Sequence, residues 1–196
     1  MKIILAAASI LSSTMAATLA IKGPLTEKSS YHLHEAFVQN SGAKVNGTPY
    51  QGYEVALGYI SNVAPQDIDY MTKFINGWLQ QQAQKTRLVK FSIDRAEANA
   101  RQVVITGDYM TNDFYQLRYK LQDALKSATP PSGRRYTLDL NNNGVAVPSI
   151  YVGEISGFTP NQVKRRINRR IEQSHIIHND PYFEVEMNNL QVHQTK

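Results

Sequence analysis

The residues best placed to do chemistry in this chain are cations. Lys164, Arg165, Arg166, Arg169 and Arg170 fall between Asn161 and Glu172, opposed there only by Glu172 itself. A guanidinium grips phosphate or carboxylate through parallel N–H donors, so this cluster suits contact with an anionic macromolecule or a membrane surface: an acidic protein, a lipid headgroup or a polyanion. If Val163, Ile167 and Ile171 form the inner stripe of a helix, the five cations must cover the rest of its circumference. A solvated helix face, with long side chains lying over apolar surface, would carry the same residues.

Histidines form a second set. His32 and His34 point the same way if Tyr31 to Val38 is a strand, while His175 and His178 stand three apart near a helix end, with Asp180 following. Two such pairs brought together would make a metal site. No H-E-x-x-H spacing links them, and histidines near a helix C-terminus interact favourably with its dipole in any case, so no metal is assigned.

Nucleophilic chemistry lacks its parts: there is no cysteine, no G-x-S-x-G turn and no P-loop. Asp67 with Asp69, and Glu184 with Glu186, are carboxylate pairs that suit a helix start and a solvent-facing strand edge. Tyr115 and Tyr119, one helical turn apart, could join a contact surface. No cofactor is expected, and the reading is of a protein that binds rather than catalyses.

The elements that must position these residues follow from hydrophobic spacing. A strand then helix pattern recurs about every 47 residues, each strand carrying a Gly shortly before the helix: Gly58 before Pro65, Gly107 before Asn112, Gly153 before Pro160. Helices are expected from Pro65 to about Gln84, from Asn112 or Asp113 to Ser127 with Phe114, Leu117, Leu121 and Leu125 inward, and from Pro160 to about His175. Arg87 to Asp94 and Gln102 to Asp108 read as a hairpin, and Tyr136 to Leu140 as a strand returning through Asn141-Asn142-Asn143-Gly144 into Val145 to Ile155. The last strand holds Phe183, Val185 and Met187. The expected fold is α+β: three consecutive βαβ units forming a mixed, mainly antiparallel sheet with helices on one face, a ferredoxin-like core over 53–140 extended by a third unit over 145–192.

Met1-Lys2, the apolar run Ile3 to Leu11 and the small residues through Ala20 have the three parts of a secretory signal peptide, assigned to 1–20, with cleavage after Ala16, Ala17 or Ala20. The expected location is secreted or periplasmic. Residues 21–52 read as a flexible lead-in with a strand at Tyr31 to Val38 and an irregular loop over Asn40 to Tyr50, and 53–196 as one domain. Without cysteine, packing alone must supply stability. Asn46-Gly47-Thr48 is a glycosylation sequon. The net charge at pH 7 is +5, and once Lys2 leaves, the stretch from Asn161 to Glu172, with five cations against Glu172, accounts for the whole excess. The outward sheet positions Glu54, Lys90, Asp94, Asp139, Glu184 and Glu186 bear charges where an RNA-reading sheet has aromatic platforms, which argues against sequence-specific nucleic acid as partner. An acidic sheet face opposite a basic helix also suits head-to-tail homo-oligomers.

The alternating order of elements, with strands such as Val103-Val104-Ile105-Thr106-Gly107, resembles that of the BON and ring-building modules of envelope proteins. The likeness covers element order alone; it implies lipid binding or oligomer assembly and assigns no residue a role. The leading expectation is an exported, non-enzymatic binding protein using the basic helix. Its alternatives are a self-assembling module of a cell envelope or extracellular assembly, and a secreted hydrolase or toxin-like enzyme.

Overall fold

The computed structural model describes residues 16–44, 53–83, 88–100, 102–109, 113–139, 149–178, 182–186 and 189–195. The run Ile3 to Leu11, the sequon at Asn46, the Asn141 to Gly144 turn, Leu140, Asp180 and Met187 lie outside them. The elements are β1 (Ala17–Pro24), α1 (Glu27–Leu33) continued by a π-helical turn (His34–Val38), β2 (Ala43–Lys44), β3 (Glu54–Val63), a 3₁₀ turn (Pro65–Asp67) leading into α2 (Ile68–Ala83), β4 (Leu88–Ala98), β5 (Gln102–Tyr109), α3 (Asp113–Leu125), β6 (Ser149–Ile155), α4 (Pro160–His178), β7 (Tyr182–Glu186) and β8 (Gln191–Thr195).

Helix positions follow the apolar spacing. Met71, Ile75 and Leu79 on α2, Leu117, Leu121 and Leu125 on α3, and Val163, Ile167 and Ile171 on α4 are all buried. Burying each such side chain stabilises by about 1.5–3 kcal/mol, whereas an exposed ion pair contributes about 0–1 kcal/mol. Three apolar residues therefore place α4, despite the charges around it. In the β4–β5 hairpin, Val89, Phe91 and Ile93 alternate inward on β4, and Val103 and Ile105, paired with Ala98 and Ala96, are buried on β5. Gly107 permits this hairpin's bulge, for a Cβ there would run into the Ser92 carbonyl.

The class is α+β, but the sheet differs from the expected one. Eight strands pair in the order β7-β4-β5-β6-β3-β1-β8, with β2 on β6, and every pair among them is antiparallel. A βαβ crossover joins parallel strands. Here β4 is three antiparallel steps from β3, β6 pairs antiparallel with β5, and β7 is three steps from β6, so none of the three helices bridges a parallel pair. The antiparallel β4–β5 hairpin takes the place beside β6, so the chain leaving α2 enters the sheet away from β3; after α3, Leu138 packs on Gly58 and Asp139 bridges antiparallel to Tyr59. All three recurring glycines sit inside strands, Gly58 and Gly107 at close approaches.

The sheet curls until its two halves meet. Leu25, just past β1, bridges to Val185 of β7, and the Thr26 amide donates to the Glu184 carbonyl at 3.0 Å. The segment read as a flexible lead-in and then a strand is instead β1 followed by helix. Thr26 caps α1, its hydroxyl accepting from the Ser29 amide at 3.2 Å, and Leu33 and Phe37 are buried at helical spacing.

Candidate functional site

The geometry of α4 sorts the five cations into three groups. At about 100° per residue, Val163, Ile167 and Ile171 face the core, and polar residues flank them on either side. On one flank Lys164 meets Glu97 at 2.5 Å, and the Asn168 side chain accepts from the Ala96 amide at 2.5 Å while donating to the Ala96 carbonyl at 3.2 Å. His175 Nε2 lies 3.0 Å from the Ile93 carbonyl and donates to it. These contacts cover the edge of β4 beyond Ser92, where its pairing with β7 stops. An open strand edge would otherwise invite other chains, and here a helix blunts it.

On the opposite flank Arg170 donates to the carbonyls of Phe37 at 3.3 Å and Gln39 at 2.5 Å, and Arg166 donates to that of Asn40 at 3.3 Å. These oxygens end the π-helical turn and the bend after it, where a helix leaves its last carbonyls without internal partners. The Arg166 guanidinium also lies 4.1 Å from the Phe158 ring centroid. That ring packs directly on Gly42, whose φ of +95° and lack of Cβ admit it. Exposed Arg166 and half-buried Arg170 are thus both engaged by the protein's own groups, as a clamp on the end of the first helix.

What remains is an outward strip. Arg165 and Arg169, one turn apart, are exposed, and neither has an acidic partner within ion-pair distance among the described residues. With Asn161, Lys164, Asn168 and Glu172 they line an open groove of about 670 Å³. Two guanidinium groups beside two side-chain amides can donate several hydrogen bonds to one oxyanion.

The histidines do not gather. His32 and His34 lie on a helical segment, so they do not share a face as they would on a strand. His32 packs against the Phe183 ring, and His34 Nδ1 meets the Tyr53 hydroxyl at 2.9 Å. Burial holds the Tyr53 phenol well above its ordinary range, so it keeps its proton. His175 serves the β4 edge, and the side chain of His178 lies outside the described residues. No group of three or more His, Asp or Glu among the described residues could hold a metal ion.

The expected acidic face is partly spoken for as well. Glu54 pairs with Lys22 at 3.4 Å, and Asp139 accepts from the Ser61 amide at 3.0 Å. Tyr115 donates to the Asp108 carboxylate, while Tyr119 is exposed.

Sequence reasoning placed Asp67 at a helix start and missed its surroundings. It is fully buried, and it accepts from the Ser132 amide at 2.9 Å, from the Ser132 hydroxyl, and from Tyr136 Oη at 2.7 Å. The Ala64 amide in turn donates to Tyr136 Oη at 3.0 Å. Burial pushes the carboxyl upward, but the Ser132 and Tyr136 hydrogen bonds, with Arg134 nearby, outweigh it and hold Asp67 below its ordinary range. Both carboxylate oxygens are occupied, so the group fastens α2 to the segment after α3 and is not free for acid–base work. Its partners lie 65 and 69 residues away, and no local motif announces them.

Comparison of the chain with protein-family models, curated proteins and solved structures returned no match.

Proposed function

We propose that the chain is an exported, non-enzymatic binding protein that holds an anionic partner on the outward strip of α4, through Arg165 and Arg169 with Lys164 at the margin. The observation that carries this reading is the contrast within one helix: Arg166, Arg170 and Lys164 have partners inside the fold, whereas Arg165 and Arg169 stand exposed without one among the described residues. Holding two like charges a turn apart on a helix is mildly unfavourable. A partner bearing phosphate, sulfate or carboxylate groups turns that repulsion into attraction.

Retention on heparin and cosedimentation with vesicles containing anionic lipid test the reading across a salt gradient. Salt-reversible capture by either probe that disappears in the Arg165→Glu/Arg169→Glu double variant supports it. Capture of the double variant equal to the parent's, or no capture of the parent by either probe, overturns it. Self-assembly through the sheet has less support. The terminal strand β8 has only five residues, and Asn76 Oδ1 accepts from the Val192 amide at 3.1 Å, which blunts it.

A further inference from the structure

The position of β1 bears on where an exported form of this chain is cut. Ala16 is exposed and precedes the strand, while Ala17 is buried and Leu19, Ala20 and Ile21 are fully so. β1 lies between two partners. It pairs with β3 from Ala17↔Val63 to Pro24↔Glu54 and with β8 from Thr18↔Thr195 to Lys22↔Gln191. Of the three small-residue positions in this region, only one leaves that arrangement whole.

Cleavage after Ala20 would remove three of the five residues that hold β8, namely Thr18, Leu19 and Ala20. It would also delete the fully buried Leu19, whose loss as a large apolar group from a core leaves a cavity. Cleavage after Ala17 would take only the pair to Val63, but it sets Met15 two residues before the last one removed, where leader peptidases favour a small side chain. Cleavage after Ala16 puts Thr14 there, keeps every residue of β1, and cuts after an exposed residue that directly precedes the strand.

We infer that the Ala16–Ala17 peptide bond is a maturation site, hydrolysed by a membrane-bound leader peptidase so that β1 begins at the new N-terminus. Water supplies the hydroxyl that makes Ala16 a C-terminal carboxyl and the proton that leaves Ala17 with a free amine. The mature protein then starts directly in the sheet, with no tail ahead of its first strand.

Translation of the full chain in a bacterial export system and, separately, with microsomal membranes, followed by intact-mass and N-terminal sequencing, tests this. A product beginning at Ala17 in either system supports it. One beginning at Thr18 or Ile21, or retention of Met1 in both, overturns it. In the system that processes the parent, Ala16→Leu, which sets a bulky residue before the scissile bond, abolishes that product; an unchanged product overturns the assignment. Chains made directly from Ala17 and from Ile21 check the structural premise apart from any peptidase. The first unfolds cooperatively and the second loses that transition, whereas equal melting of the two overturns the premise.

Discussion

Two arginines on α4 are one residue away in sequence from two others, and they live in different physical worlds. Arg166 and Arg170 spend their donors on carbonyls that the first helix leaves open; Arg165 and Arg169 spend theirs on solvent. Composition treats the four alike, as does any count of charge. A rotation of about 100° separates a structural cation from one available to a partner. Asp67 is the anionic counterpart of the first kind, buried with every oxygen engaged.

The sharpest way to break this contrast is charge reversal. In Arg165→Glu/Arg169→Glu, affinity for heparin or anionic vesicles should fall by about 100-fold or more, since each hydrogen bond to a charged group is worth about 1.5–3 kcal/mol. The thermal midpoint should stay close to the parent's. A large drop in the midpoint would place these residues with Arg166 and Arg170 and end the distinction.

Tyr136→Phe removes the hydroxyl that serves both Asp67 and the Ala64 amide, and it should lower unfolding free energy by about 1–3 kcal/mol in urea titrations with binding unchanged. Arg170→Ala strands the Phe37 and Gln39 carbonyls and should cost about 1–2 kcal/mol, again with binding intact. Arg166→Ala should cost less, about 1 kcal/mol, for one long hydrogen bond and a ring contact at the surface. Either arginine variant losing capture while keeping stability would reverse the assignment.

The smallest effect is one of pH. Hydrogen bonds hold the folded-state value for Asp67 below its unfolded one. The stability this supplies is fully present above the unfolded value near about pH 4 and is lost as pH falls through the lower folded value. Acid titration of the parent should show that loss, and Asp67→Asn should flatten it from a lower starting stability.

What the sequence made legible was local. Met71, Ile75 and Leu79, then Leu117, Leu121 and Leu125, announce their helices because spacing alone decides which side is buried, and the alternation of Val89, Phe91 and Ile93 does the same for β4. The β4–β5 hairpin was legible too, but the pairing of the other strands was not. It joins segments far apart in sequence, as β1 to β8 and β4 to β7, and such tertiary events have no periodic signature. β1 was hidden because its small and apolar residues match those of a leader, and α1 because Ser29, Ser30 and His32 mask the spacing of Leu33 and Phe37. The cationic helix was visible as a whole. Its division into clamp, edge cover and outward strip needed the neighbours that the fold brings to it.

The place of β1 sets the timetable of folding. The first of the described strands is held between β3 and β8, and its contact Thr18↔Thr195 spans nearly the full chain. Such distant pairings put refolding among the slow, high-contact-order proteins, on the order of milliseconds to seconds. Until residues 191–195 have been made, β1 has one neighbour instead of two, and the sheet stays incomplete. A sheet built this way closes only when residues 191–195 arrive to flank β1.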